Sequence, residues 1–566
     1  MPANVPVLRS GEAVGEPFVW ATAMGLTVGL LMVIYLLGLI VVNGLDAFWP
    51  KRVVAVELQE GSQARIRGAA VLAGEIVKRQ QKLYHHLAGQ EQTAAAMTEW
   101  QLFVGNKDIY GQGFSYVDYT DIVRQSYPRE MIVIERLEYG DAIGVPVTLH
   151  VAGEGDISFD QTQFLPRLRT LVAEVDARRE EIRYIERTAI GAINAKMDDL
   201  RLQQKALDQP SVATSGSGAV ASPAARAIAE AMAALQSRYE ELATQARELR
   251  SQQEEHALTY RLPTGEEKRL ALGQVVSYSF PNQLTFWQRL GLFAHNFWTF
   301  LSQEPREANT EGGVFPAIFG TFVMTVLMSI AVTPFGVLAA MYLREYATQG
   351  LAVRTVRIAV NNLAGVPSIV FGVFGLGFFV YVVGGTIDEL FFSRALPTPT
   401  FGTGGVLWAA LTLALMTVPV VIVATEEALS AVPRGMREGS LACGASKWQT
   451  MQRIVLPAAA PGILTGLILA MARGAGEVAP LMLVGVVKLA PTLPVDTLFP
   501  FVHLDRKFMH LGFHIFDLGF QSPDSEAAKP MVFATTLLLI GLVVLLNVGA
   551  IFIRDRLRKK YATGAF

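Results

Sequence analysis

Hydrophobic positions along this chain follow two different patterns. Between Lys51 and Glu311 apolar and charged residues alternate over short intervals, whereas long charge-free runs flank that stretch on both sides. Five runs contain no Asp, Glu, Lys or Arg: Phe18–Val42, Gly312–Leu343, Ile358–Ile387, Ala395–Thr425 and Pro530–Ile553. About 20 apolar residues suffice to cross a hydrocarbon core of ~30 Å, so each run is long enough for a transmembrane helix. A sixth segment, about Pro461–Val487, is equally apolar but carries Arg473 and Glu477. The pattern predicts an all-α polytopic membrane protein with six transmembrane helices and both termini on one side. The first run exceeds the roughly 7–15 residues of a signal-peptide core and has no basic cluster before it, so it reads as a retained helix.

Lysine and arginine in the short loops set the expected orientation. Arg344, Arg354, Arg357, Arg434, Arg437, Lys447, Arg453, Arg554, Arg556, Arg558, Lys559 and Lys560 fall on one side; Arg394, Lys488, Arg506, Lys507 and Lys529 fall on the other. The richer side is expected to be cytoplasmic, with both termini inside and the long loop outside. Lys51 and Arg52 run against this, but long translocated domains escape the rule.

The chain therefore divides into residues 1–47 with the first span, an extracytoplasmic domain over 48–296, and a membrane core over 297–566. Within the domain, Val53–Val56, Met131–Ile134 and Val145–Val151 read as strands and Gly61–Leu87 as helical, which suggests a small α/β lobe over about 51–160. Residues 161–207 and 224–257 read as two long helices joined by the Ser/Gly/Ala/Pro-rich Gln209–Pro223. In the second, Ile228, Met232, Leu235, Tyr239, Leu242, Ala246 and Leu249 alternate by four and three, as a coiled-coil seam requires. Leu168, Leu171, Val175, Ile182, Ile193, Met197 and Leu200 are the facing set for a helical hairpin. An extended stalk and a protein-docking surface both fit such a hairpin.

Composition narrows the class further. Hydrophobic residues make up 51% and charged residues 17%, against about a quarter charged in soluble domains. Disordered, collagen-like and disulfide-stapled chains are excluded, the last because Cys443 is the lone cysteine. A net charge of −2 gives no polycation signal for nucleic acid. No G-x-x-x-x-G-K-[ST] phosphate loop occurs, so ATP hydrolysis is expected on a separate chain.

The loop over residues 426–457 is the most informative stretch. Glu438, two small residues, Gly444-Ala445, Trp448, Ile454 and Leu456-Pro457 keep a fixed spacing over 20 residues. Glycine tolerates φ > 0, so a short helix can turn sharply at Gly444. Trp448, Met451 and Ile454 recur at helical spacing as an apolar face, and Pro457 is expected to stop the helix before span five. On physics alone this is an amphipathic helix on the bilayer surface. The spacing resembles the EAA loop of ABC importer permeases, with Gly439-Ser440 where that family has Ala-Ala. The resemblance implies a coupling helix seated in a cleft of an ATPase subunit.

Asn309–Gly313, Leu363–Gly375, Thr425–Leu429 and Ala472–Pro480 are similar to the phosphate-specific ABC permeases, and the ending resembles the PstA branch more than the PstC branch. The resemblance covers about 18–47 and 297–560. It implies a bacterial inner-membrane location and four kinds of partner: a PstC-like second permease, a PstB-like ATPase dimer using ATP and Mg, a PstS-like binding protein, and phosphate as substrate. No cofactor is expected on this chain itself. The short members lack a counterpart of the 48–296 domain, so its role cannot be carried over.

Arg473 and Glu477 are the candidate path residues, because ionisable groups at membrane depth are costly and mark functional sites by default. Four residues apart, they could share a helix face and pair. Gly462, Gly466, Ala470 and Gly474 beside them form a small-every-four ridge. A structural ion pair fits the same residues. Asn362 and Ser368, near Pro367, could line the path or accommodate a kink. His503, His510 and His514, like His85-His86, fit packing better than a metal site, which needs three or four convergent ligands. Two rival functions stand beside phosphate import: transport of another oxyanion (phosphonate, sulfate, molybdate), and a membrane-anchored sensor or scaffold working through its coiled coil.

Overall fold

The computed structural model describes residues 17–82, 97–208, 223–306, 309–496, 499 and 501–562; Gln209–Ser222 and His85-His86 lie outside them. Among the described residues, six helices are long and apolar enough to cross a membrane. The first, α1, is Pro17–Asp46. After it come, among the described residues, two antiparallel sheets and three long helices, α2 (Phe164–Arg183), α3 (Ile190–Asp208) and α4 (Pro223–Glu254). A separate helix α5 (Phe286–Ser302) then leads to the remaining spans. These are α6 (Phe315–Tyr346), α8 (Ser368–Phe391), α9 (Val406–Ala431), α11 (Lys447–Gly476) and α14 (Ser525–Ala562). Shorter helices connect them: α7 (Leu351–Leu363), α10 (Arg434–Ala442), α12 (Ala479–Val484) and α13 (Leu511–Phe516).

Three predicted spans shift. The third does not run unbroken from Ile358: α7 ends at Leu363 and α8 begins at Ser368. Proline disfavours the helical region for the residue before it, which breaks the helix ahead of Pro367. The fourth starts at Val406, not Ala395, because 395–405 holds Pro397, Pro399 and three glycines. The fifth starts earlier, at Lys447, and stops at Gly476; Pro457 does not end it. A widened π turn over Met451–Val455 accommodates the proline, whose missing N–H and ring would otherwise break the ladder.

The middle of the bundle is α9. Its Ala409, Leu413, Met416 and Val421 are buried with Met324, Met328 and Val332 of α6, Ala470 of α11 and Leu481 and Val484 of α12. The approach is backbone-close: a Cβ on Gly336 would lie 2.5 Å from Val421, on Gly462 2.5 Å from Ala428, and on Gly466 2.3 Å from Ala424. The ridge on α11 thus packs into α9, and Gly474 meets Met328 of α6 in the same way. Polar side chains inside α6 are satisfied locally, since Thr321, Thr325 and Ser329 each donate to the carbonyl four residues back at 2.7 Å. By contrast, α1 leaves almost all of its apolar side chains exposed and touches α14 where Gly44 meets Leu537.

Between α1 and α5 the chain builds one sheet of order β4-β3-β2-β1-β5: β1 Val53–Leu58, β2 Val71–Lys82, β3 Met97–Phe103, β4 Phe114–Asp118 and β5 Ile122–Ser126. The second has order β10-β9-β7-β6-β11, with β8 Gly155–Ser158 beside β7: β6 Ile132–Arg136, β7 Ala142–Val151, β9 Ala257–Arg261, β10 Glu267–Ala271 and β11 Val275–Ser279. The helical reading of Gly61–Leu87 is corrected here: 71–82 is strand β2, held between β1 and β3. Sheet pairing overrode local propensity. The lobe also extends past residue 160, because β9, β10 and β11 return after the hairpin to complete the second sheet. Helix α2 covers that sheet through Leu168, Leu171, Val172 and Val175. Helices α3 and α4 pack through Ile193, Met197, Leu242 and Ala246, whereas Leu168, Leu171 and Val175 of the expected facing set cover the sheet instead.

Replacing Gly466 by Val should force α11 away from α9 and cost about 1–3 kcal/mol, the usual penalty of overpacking. The thermal midpoint of the detergent-solubilised protein is the readout. Gly541→Ala, where a Cβ meets nothing within 4 Å, should leave it unchanged.

Candidate functional site

The α10 loop is a braced turn. Helix α10 begins after Pro433 and ends at Ala442 with Cys443 as its C-cap, and Gly444 takes φ +84, the left-handed conformation that closes a helix C-terminus. Ser446 then opens the next helix with a capping box: its Oγ accepts from the Gln449 N–H at 3.2 Å and Gln449 Oε1 accepts from the Ser446 N–H at 2.9 Å. Ser440 and Thr450 join the two arms at 2.8 Å. Arg437 ties α10 to the end of α6: it lies 3.2 Å from the Glu345 carboxylate and donates to the Val432 carbonyl at 3.1 Å. Lys447 donates to the Glu345 carbonyl and stands 4.9 Å over the Tyr346 ring.

Of the residues singled out in this loop, Glu438, Gly444 and Trp448 are exposed, the last by 52%, while Ala445, Ile454, Leu456 and Pro457 are half-buried. Met451 corrects the expected apolar face: it is buried with Val455 against Met341, Leu429 and Val432. The outward apolar surface is instead Trp448 with Met436 and Leu441. Sequence spacing missed these two because they sit on α10, on the other arm of the turn.

Arg473 and Glu477 do pair, with Nε to Oε1 at 3.8 Å. They do not share a helix, because α11 ends at Gly476 and Glu477 is extended (ψ 136). The following α12 packs closely on α8: a Cβ on Gly372 would lie 2.7 Å from the Pro480 Cα. Ser368 is the first residue of α8, half-buried, one turn before that contact; Asn362 is exposed near the end of α7, and its carbonyl accepts from Gly365 at 3.0 Å. Among the described residues neither is hydrogen-bonded to the Arg473–Glu477 pair. The two helix breaks, 364–367 and 477–478, thus flank one tight contact.

Residues 332–562 match the model of the binding-protein-dependent transport system inner membrane component family. The phosphate transport system permease protein PstA of Yersinia pestis is 33% identical over 251 residues, covering 44% of this chain and 75% of that protein. The chain belongs to the PstA-type ABC permease family. PstA 1 of Mycobacterium tuberculosis H37Rv is 40% identical over 175 residues, 31% of this chain and 51% of that protein. A probable ABC transporter permease, YqgH of Bacillus subtilis, is 32% identical over 209 residues, 37% and 63% respectively. With these two, this permease aligns over only half to five-eighths of the relative's length.

Other polar groups of the permease were not legible as sites. Arg357 of α7 holds Glu426 of α9 at 3.3 Å. In the segment between α12 and α14, Lys488 pairs with buried Asp517 at 3.0 Å, and Asn309 donates to the same carboxylate at 3.0 Å. His503 is 3.0 Å from Asp496. His510 and His514 are buried, and no group of three metal-capable side chains occurs among the described residues. Desolvation pushes the imidazole of His510 down to about 3 and that of His514 to about 4, with Asp517 pulling His514 back upward.

Both histidines therefore fold in the neutral form, with pKa values below the ordinary 6.5. Between pH 6.5 and about 4 the unfolded chain takes up protons that folded His514 does not, so stability falls as pH falls through that window. At 1.36 kcal/mol per unit, His514 should account for about 3 kcal/mol of that loss. His514→Phe should flatten the fall in thermal midpoint between pH 7 and pH 4 relative to the unaltered protein, and an unchanged slope would refute the assignment.

Proposed function

We propose that this chain is the transmembrane permease subunit of an ATP-driven phosphate importer. It lines the path with a PstC-like second permease, receives phosphate from a PstS-like binding protein, and is driven by a PstB-like ATPase dimer that holds ATP and Mg. The observation that carries the reading is the α10 turn. An exposed, short helix locked at both ends is a rigid connector, and its Glu438, Met436 and Leu441, with Trp448 on the other arm of the turn, stand outward where a second protein can seat. Docking forces applied there pass through Arg437 and Lys447 to the end of α6, and through Met451 and Val455 into α9 and α11.

The substrate assignment rests on the PstA relatives and on the chemistry of Arg473. Guanidinium presents a fork of donors that matches phosphate oxygens. At 3.8 Å the pair with Glu477 is too long for a strong hydrogen bond. Glu477 can hold the guanidinium when the path is empty and release it to a passing oxyanion. Asn362 and Ser368, at the break between α7 and α8, are secondary path candidates. The positive-charge bias supports an orientation with both termini and the α10 turn in the cytoplasm and the sheet domain outside. A pure scaffold has no use for the α10 turn, which weighs against that rival.

Two substitutions test separate parts of the proposal. Gly444→Asp, which puts a side chain on a left-handed residue in the turn, should abolish co-purification of the ATPase and reduce phosphate uptake to background. Arg473→Gln should keep the ATPase bound yet lower phosphate uptake at least about tenfold, one charge-assisted contact being worth about 1.5–3 kcal/mol. Wild-type uptake in the second variant would remove Arg473 from the path. Competition by unlabelled sulfate, molybdate or phosphonate as strong as by phosphate would transfer the substrate assignment to that anion.

A further inference from the structure

Helix α5 carries three distinct faces, which is one more than an ordinary surface helix has. Phe293, Phe297, Phe300 and Leu301 face the protein, packed with Phe48, Val314 and Leu511. A second stripe, Gln288, His295, Thr299 and Ser302, is polar, exposed except for the half-buried Thr299. Gln288 and His295 border a groove of about 540 Å³ shared with Tyr278 and Ser279 of β11. The third stripe is apolar and exposed: Trp287, Leu290, Ala294 and Trp298, the two tryptophans open by 75% and 66%. Apart from the adjacent Phe300 and Leu301, successive members of each stripe are three, four or seven positions apart, so each forms a band along the helix.

The position of α5 says what covers the third face. Its aromatic side is wedged against the end of α1, with Phe48 ring centroids 5.4 Å from Phe297 and 5.0 Å from Phe300, and Trp49 6.2 Å from Phe286. Its last turn is joined to the start of α6 by the Val314 N–H donating to the Phe300 carbonyl at 2.9 Å. Helix α5 therefore lies at the level where α1 leaves the membrane and α6 enters it. It contains no acidic residue, and its one strong base, Arg289, is turned back onto the Pro281 carbonyl at 3.0 Å. An uncharged apolar band with a tryptophan near each end, fixed at that level, matches the headgroup–acyl boundary, where amphipathic aromatic rings partition.

We infer that α5 is an interfacial helix whose Trp287–Leu290–Ala294–Trp298 face is seated in the bilayer surface on the side of the sheet domain. Its polar stripe meets the water in the groove beneath β11. The helix sets the height of the sheet domain above the membrane, since β11 runs into it through only six residues, 280–285. Because the seated face is uncharged, the contact is apolar and does not depend on anionic lipid.

The test uses the full-length protein with Cys443→Ser, in phosphatidylcholine vesicles with and without phosphatidylglycerol. Single cysteines at 290 and 294, or at 288 and 295, carry a nitroxide, and collisions with oxygen and with a water-soluble nickel chelate are compared. At 290 and 294 oxygen should exceed nickel by about threefold or more, at a depth of about 5–10 Å; at 288 and 295 nickel should prevail; neither should change with phosphatidylglycerol. Prevailing nickel at all four positions would overturn the inference. So would labels at 290 and 294 that neither reagent reaches, which would mean a protein partner covers the face. Should a labelled variant not fold, Trp298→Phe against the unaltered protein in brominated lipid supplies the same reading, since loss of Trp298 should reduce the quenched fraction of fluorescence and no reduction would count against lipid contact.

Discussion

Helix α9 is approached by backbone rather than by side chains on two sides, and that closeness is what the membrane core depends on. Between apolar helices in lipid there is no hydrophobic driving force, so association rests on van der Waals contact at short range and on small residues that allow it. Gly336 of α6 against Val421, and Gly462 and Gly466 of α11 against Ala428 and Ala424, supply that contact along much of α9. Each of these positions is already filled to the limit, so α6, α9 and α11 are held together at backbone distance.

The α10 turn inherits its shape from the same packing. Met451 and Val455 lie in a cluster with Met341, Leu429 and Val432, so the arms of the turn are extensions of α6, α9 and α11 rather than a free loop. The left-handed Gly444, the Ser446 capping box and the Arg437–Glu345 contact then fix the exposed tip relative to that body. At the other end of α11 the helix stops between Arg473 and Glu477, which pair. The break at Glu477 and the break before Ser368 flank the tight Gly372–Pro480 contact, so two of the spans are interrupted around one closely packed point.

The sheet domain is joined to the membrane core by polar contacts as well as by the chain itself. Gln101 donates to Glu526 at the start of α14 at 2.8 Å, Lys107 lies 3.8 Å from Asp524, and Arg306, just before α6, pairs with Glu135 of β6. Those links touch α6 and α14 where they enter the bundle, beside the aromatic wedge of α5 on α1. A domain held at these points is positioned by the spans rather than tethered to them.

The number and approximate place of the spans were legible from charge-free runs, because the absence of water around a span leaves little room for any other composition. The ridge of small residues on α11 and the seam between α3 and α4 were legible too, each being a one-dimensional periodicity that folding preserves. What the sequence could not decide were outcomes of competition between distant residues. Strand β2 reads as helix until β1 and β3 pair with it; β9 to β11 join a sheet begun more than a hundred residues earlier. Pro457 reads as a stop until a π turn absorbs it, and Met451 reads as a docking surface until Met341 and Leu429 cover it. Solvent and local sterics act on each residue where it stands, and so could be read along the chain. Which face of a helix is covered, and by what, depends on partners brought near only when the whole chain has folded.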